Sequence, residues 1–131
     1  EMQRFIAKHG LHRYNMNPKF PFNSISLLRM LVSLGSDDQI KLIEMLTPAI
    51  WEEGLDVSDA TAVAMILTKA GLDAEFLIAK AQDPAIKQAV INNTEKAVER
   101  GVFGIPTFFI GEEMFFGKER LEQIEEMLEK S

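Results

Sequence analysis

Apolar positions recur at helical spacing through most of the chain and change to a shorter period only after Gly101. The opening "EMQRFIAKHG" sets Phe5 and Ile6 behind Met2, with Gly10 as C-cap, and reads as the back half of a helix. No cap precedes it. Two readings stay open: the chain begins partway through a domain, or it is a short protein whose first helix starts there. "LHRYNM" alternates loosely and predicts a strand of about four residues from Leu11. "NPKFPFN" predicts a loop with extended backbone before Pro18 and Pro21 and with Phe20 and Phe22 outward. A helix then runs from about Asn23 to Leu34, capped by Asn23 or Ser24 and ended by Gly35. Ser36 and Gln39 have capping-box spacing, and Asp37 and Asp38 suit the first turn of the next helix. Its predicted face is Ile40, Ile43, Leu46 and Ile50, and Pro48 should bend or interrupt its far end.

Three more helices follow. Ser58 caps one that Gly71 stops, and Asp73 starts a short one. Asp83 followed by Pro84 opens a third, with Ile86, Val90 and Ala97 as its stripe and Gly101 as its end. Beyond Gly101, "TFFI" and "EMFF" predict a hairpin turning at Gly111–Glu112. "GKERLEQIEEMLEK" predicts a final helix that turns Leu121, Ile124 and Leu128 to the sheet. Two strands alone do not make a stable sheet, and only the "HRYNM" region offers a third. Strands are therefore expected to be missing from the front.

Composition narrows the function classes. A chain of 131 residues with 47% apolar content can bury a real core. No apolar run approaches the roughly 18 residues of a membrane span. The net charge of −6 argues against nucleic acid and against an anionic membrane surface. With no cysteine, the chain has no disulfide, thiol chemistry or cysteine metal site, which fits a cytoplasmic protein.

Local chemistry leaves alternatives open. Pro106 cannot donate to a ladder, so it belongs at a strand start or edge. If its peptide bond is cis, the backbone of Ile105 faces an open surface where an extended peptide can pair. A strand-start proline without function is the commoner case. "FGKER" combines a glycine before a helix start with Glu119 in the first turn, which suits the zwitterionic end of an amino acid or simply makes a cap. "NPKFPFN" sets Asn17, Lys19 and Asn23 among aromatics, which suits an acidic aromatic ligand or a packed structural loop. His9 and His12 lack a third metal ligand, and a surface or capping role is the better reading. No phosphate loop, dinucleotide fingerprint or zinc-hydrolase motif occurs.

"GVFGIPTFFIGEEMFFGKERLEQIEEML", with "NPKFPFNSISLLRML" far upstream, resembles the 2-hydroxychromene-2-carboxylate isomerases, relatives of kappa-class glutathione transferases and of the DsbA-type thioredoxin fold. The resemblance covers essentially the whole chain. It implies an α/β, thioredoxin-like fold with an inserted all-helical domain and with the N-terminal strand-loop-strand region absent or incomplete. Residues 1–22 would be a residual part of the thioredoxin-like domain, 23–100 the helical insertion and return helix, and 101–131 the closing hairpin and helix. It implies a cis Pro106 and glutathione as cofactor. The backbone of Ile105 would pair with the cysteinyl part. Phe116, Gly117, Lys118 and Glu119 would hold the γ-glutamyl end. Asn17 and Pro18 would lie near glutathione and substrate, and Lys19, Phe20, Phe22 and Asn23 would border the substrate pocket.

The chain departs from that pattern at three positions. Relatives usually have aspartate where Glu119 stands, serine or glutamine where Lys118 stands, and often tryptophan where Phe116 stands. The serine thought to face the glutathione thiol would lie upstream of Glu1. Ser24, Ser26, Ser33 and Ser36 are explained by helix or cap positions, so no catalytic residue is named. The implied reaction is cis-trans isomerisation of an aromatic-derived carboxylate through reversible thiol addition. The cofactor would bring the thiol that the chain lacks. A homodimer and the absence of a metal are further expectations. Three alternatives remain: a kappa-like glutathione transferase, a DsbA-family thiol oxidoreductase with its cysteine pair upstream, and a non-catalytic peptide-binding protein.

Overall fold

The computed structural model describes residues 2–130 and divides into two compact units, Glu1–Val90 and Ile91–Ser131. The first unit is helical. Helix α1, Met2–His9, stops at Gly10, as its cap residue predicts. Helices α2 (Ile25–Val32), α3 (Ser36–Trp51), α4 (Ala60–Lys69) and α5 (Ala74–Lys80) follow, and α6 (Pro84–Glu99) begins in this unit. Their shared core joins Leu27 and Met30 of α2, Leu42, Leu46 and Ile50 of α3, Val63 and Leu67 of α4, Leu77 of α5 and Ala81 just beyond it. Burial of that apolar surface drives this unit's folding.

Several expectations are corrected here. Residues 12–13 form a turn and residues 11 and 14–16 no regular element, so the strand of about four residues expected from Leu11 is absent. The Tyr14 N–H folds back to the Leu11 carbonyl, and the Asn15 N–H donates to the Trp51 carbonyl at 2.7 Å, so this backbone serves the end of α3 rather than a ladder. Helix α3 lacks the predicted capping box. Gly35 is its N-cap, and the Gln39 side chain reaches back instead to the Leu31 carbonyl at 2.9 Å. The buried face of α3 is Leu42, Leu46, Ala49 and Ile50, whereas Ile40 and Ile43 are exposed. Pro48 does not end the helix. The turn after it closes through the Glu52 N–H onto the Pro48 carbonyl at 2.8 Å. Asp59, not Ser58, caps α4, its carboxylate accepting from the N–H groups of Thr61 and Ala62. The Ser58 hydroxyl donates to Asp56 at 2.6 Å, and this bond and a second from the Ser58 N–H hold the Asp56 carboxyl below its ordinary range. Asp73 caps α5, and Asp83 accepts from the Ala85 N–H at the start of α6, both at the predicted places.

The second unit carries a two-stranded antiparallel sheet, β1 (Thr107–Ile110) and β2 (Glu113–Phe116), with Thr107 opposite Phe116 and Ile110 opposite Glu113. These are the two predicted strands. A short 3₁₀ turn, Lys118–Arg120, leads into α7, Leu121–Lys130. Of the three α7 residues expected to face the sheet, Ile124 is buried while Leu121 and Leu128 are exposed. Among the described residues, no helix is long and apolar enough to cross a membrane.

Candidate functional site

The Ile105–Pro106 peptide bond is cis. Pro106 stands directly before β1, and its carbonyl accepts the Gly117 N–H at 2.9 Å, which ties the start of β1 to the end of β2. The hairpin thereby brings residues 103–107 against Phe116 and Gly117, two segments about ten positions apart in sequence. Ile105 projects from this corner at 89% exposure, and no hydrogen bond joins its backbone to another described residue. The Thr107 hydroxyl donates to the Gly104 carbonyl at 2.6 Å and closes the turn from within.

Gly104 and Gly117 answer two steric demands of this corner. A Cβ on Gly104 would lie 2.7 Å from Cε2 of Phe116, so the absence of a side chain lets that ring lie against the backbone. Gly117 has φ of 97°, which L side chains rarely adopt, and a Cβ there would fall 2.5 Å from Oε2 of Glu119. The Glu119 carboxylate thus folds over Gly117. Lys118 Nζ lies 2.8 Å from its Oε1. That hydrogen bond, with a further one from the Glu119 N–H and the nearby positive charges, holds the Glu119 carboxyl below its ordinary range. Its side chain is 68% exposed, so the anion faces water.

Of the eight residues that the resemblance implies for glutathione, Ile105, Pro106, Phe116, Gly117, Lys118 and Glu119 lie at the two ends of this hairpin, and Asn17 and Pro18 lie in the first unit. Phe103 and Gly104, beside the hairpin group, were not singled out by sequence. The rings of Phe103 and Phe116 lie 4.7 Å apart. Their signal was the glycine between an aromatic residue and "IP", a small residue where the chain otherwise favours bulk. On the hairpin itself, the Arg100 guanidinium sits 3.5 Å over the Phe109 ring.

The other predicted residues lie in the first unit. Asn17 is 1% exposed. Its Nδ2 donates to the carbonyls of Ile50 and Leu55 at 2.9 and 2.8 Å, and its Oδ1 accepts the Lys19 N–H at 2.8 Å. The resemblance implies that Asn17 lies near glutathione and substrate; in the structure its side chain pins the loop to the end of α3. Pro18 packs near Gly54, and Lys19 is exposed. Phe20 and Phe22 form an aromatic cluster with Trp51, at centroid distances of 6.1 and 5.8 Å, and Tyr14 stacks on the same indole at 6.0 Å. The Phe20–Pro21 bond is also cis, which the sequence reading did not anticipate. Asn23 accepts the Ile25 N–H at 3.0 Å and borders a groove of about 340 Å³ beside Ser26, Ser58 and Gln82.

The chain is 30% identical over 98 residues to a protein named 2-hydroxychromene-2-carboxylate isomerase from Sphingobium xenophagum, a match covering 75% of this chain and 50% of that protein. A protein of the same name from Pseudomonas putida is 34% identical over 77 residues, covering 59% of this chain and 38% of that protein. The chain thus spans half or less of the length of these curated relatives. A solved structure titled as a selenomethionine 2-hydroxychromene-2-carboxylate isomerase superposes with a TM-score of 0.84 at 26% identity, over 98% of this chain and 62% of that one. The fold is thioredoxin-like α/β, mostly helical with a small sheet. Its sequence matches the DSBA-like thioredoxin domain from residue 1 to residue 129, and the chain belongs to that family.

Proposed function

We propose that this chain is part of a glutathione-dependent isomerase that acts on a 2-hydroxychromene-2-carboxylate type substrate. The observation that carries the reading is the open backbone at Ile105, held beside the Gly117–Glu119 turn by the Pro106 carbonyl. Supporting it, the structural neighbour and the curated relatives bear that isomerase's name.

The residues of this corner fit glutathione. The exposed Glu119 carboxylate, held ionised, offers an anion for the γ-glutamyl ammonium. The Lys118 ammonium, beside it, offers a cation for the γ-glutamyl carboxylate. Ile105 offers an N–H and a carbonyl for the cysteinyl backbone, as one strand edge offers to another. When bound, glutathione supplies the thiol that adds reversibly to a conjugated carbon of the substrate. The chain's own part is to hold the tripeptide extended and fix where its sulfur points. Correct positioning of this kind contributes much of the rate gain in two-reactant chemistry.

The test uses the protein that carries this sequence together with any coding sequence preceding Glu1. Glutathione should shift the amide resonances of Ile105, Thr107 and Gly117–Glu119, and turnover of 2-hydroxychromene-2-carboxylate should require it. Absence of shifts at millimolar glutathione would overturn the cofactor assignment. Absence of turnover would overturn the isomerase assignment. A Cys-x-x-Cys encoded upstream would redirect the reading to a thiol oxidoreductase.

A further inference from the structure

Packing restricts position 104 to glycine, since a Cβ there would meet Cε2 of the Phe116 ring at 2.7 Å. A residue without a Cβ leaves its backbone dihedrals weakly restrained. The peptide unit that joins Gly104 to Ile105 therefore needs another group to fix its direction. Thr107 supplies one. Its hydroxyl donates to the Gly104 carbonyl at 2.6 Å, from the first position of β1, opposite Phe116. The Gly104–Ile105 peptide is trans, so its carbonyl and its N–H share one plane and point opposite ways. A bond that draws the Gly104 carbonyl toward Thr107 thus turns the Ile105 N–H away from the turn. The Pro106 carbonyl is tied separately, by the Gly117 N–H at 2.9 Å.

We propose that Thr107 is a positioning residue for the ligand at the Pro106 corner: its hydroxyl, through the Gly104 carbonyl, aims the Ile105 N–H at a backbone carbonyl of the tripeptide. This rests on the glutathione reading above and adds the side chain that sets the direction of its backbone donor. Without the hydroxyl, the peptide plane can turn over at the ψ of Gly104 and the φ of Ile105. The Gly104 carbonyl would then face the ligand carbonyl, and an attraction would become a repulsion. A donor whose direction is set before the ligand arrives spends less of the binding energy on ordering. The role depends on bonds inside residues 104–107 and not on what else covers the corner. Serine carries the same hydroxyl, whereas valine matches threonine in shape and lacks it.

The test compares the same full protein with its Thr107→Ser and Thr107→Val variants, by calorimetry with glutathione and by amide resonances. In the unaltered protein, glutathione should move the Ile105 amide proton downfield, as a new acceptor does. Thr107→Val should weaken glutathione binding about three- to tenfold, the range set by one lost hydrogen bond. In the free protein it should move the Ile105 amide while the Gly117 amide, bonded to Pro106, stays in place. Thr107→Ser should bind glutathione within about twofold of the unaltered protein. Undiminished affinity in Thr107→Val, or an equal loss in Thr107→Ser, would overturn the positioning role and leave the glutathione reading in place. A Gly117 shift as large as that of Ile105 in free Thr107→Val would mean that the hydroxyl serves the whole hairpin, and would also overturn it. So would an Ile105 amide in the unaltered protein that stays still while Gly117–Glu119 respond, a result that needs no variant to fold. If glutathione does not bind the unaltered protein, the glutathione reading fails and the role of Thr107 falls with it.

Discussion

Asn17 shows how one side chain can look like a ligand contact and act as a brace. Its amide spends both N–H groups on the carbonyls of Ile50 and Leu55, at a site that is 1% exposed. Truncation would leave two carbonyls and the Lys19 N–H without these partners. Buried groups stranded this way cost about 1–3 kcal/mol. Asn17→Ala should therefore lower stability by about 2 kcal/mol or more, read from the urea unfolding midpoint. Asn17→Asp should be at least as costly near neutral pH, because a carboxylate would face two carbonyl oxygens. An unchanged midpoint combined with weakened glutathione binding would return Asn17 to the ligand. Glu119 is the opposite case, a charge in water beside the Lys118 ammonium. The hydrogen bond from Lys118 depresses its folded-state pKa, so the pair is fully formed above the ordinary carboxylate value and is lost as pH falls through the depressed one. A carbon-detected titration should give Glu119 a lower midpoint than the same residue in Lys118→Met. Equal midpoints would remove Lys118 as the cause.

Elements differ in how much of their boundary chemistry a sequence displays. The hairpin was legible to the residue because its period, its Gly111 turn and its flanking glycines agree. The Asp83–Pro84 start of α6 was legible because proline at the first helical position removes a donor that has no partner anyway. The start of α4 was not, since Ser58 and Asp59 are adjacent and both are good caps. What decided between them lies earlier: Asp56 engages the Ser58 hydroxyl and N–H, leaving Asp59 to face the helix. Asp59→Ala should cost about 1 kcal/mol and Ser58→Ala distinctly less, measured side by side by chemical denaturation. The reverse order would put the cap back at Ser58. The face of α3 was misread for a related reason. Ile40 and Ile43 have helical spacing with Leu46, but so do Leu42, Ala49 and Ile50, and only packing against α2 and α4 selects between the stripes. The strand of about four residues expected from Leu11 does not form because the Tyr14 N–H turns back to the Leu11 carbonyl, and Asn15 beyond it is taken up by the end of α3 through both backbone and side chain.

At the scale of the molecule, the thioredoxin-type assignment was legible through the closing motif and its distant partner, not through the bulk of the chain, where short helices of ordinary composition carry no signature. Within the candidate site, the segments at Pro106 and Glu119 were joined by the resemblance, and the tight hairpin between them gives the physical reason that they lie close in the fold. The loop at Asn17 could not be resolved the same way, because its partners Ile50 and Leu55 lie more than thirty positions away in sequence. The two units also differ in what holds them. Of the thirteen buried apolar residues among those described, only Phe115 and Ile124 belong to the second unit. Its sheet has two strands, and a two-stranded sheet is marginal in water by itself. Local opening follows the density of buried contacts, so protection against hydrogen exchange should divide along the same line. In the 131-residue chain, amides of Leu42, Leu46 and Leu67 should exchange only through the larger opening of the helical core. The paired amides of β1 and β2 should exchange at least about tenfold faster, the ratio that a difference of 1.4 kcal/mol in opening free energy produces. A ligand seated at the Pro106 corner should slow the second group and leave the first alone. Equal protection of the two groups in the free chain would mean that the hairpin draws its stability from more than the two strands and Ile124.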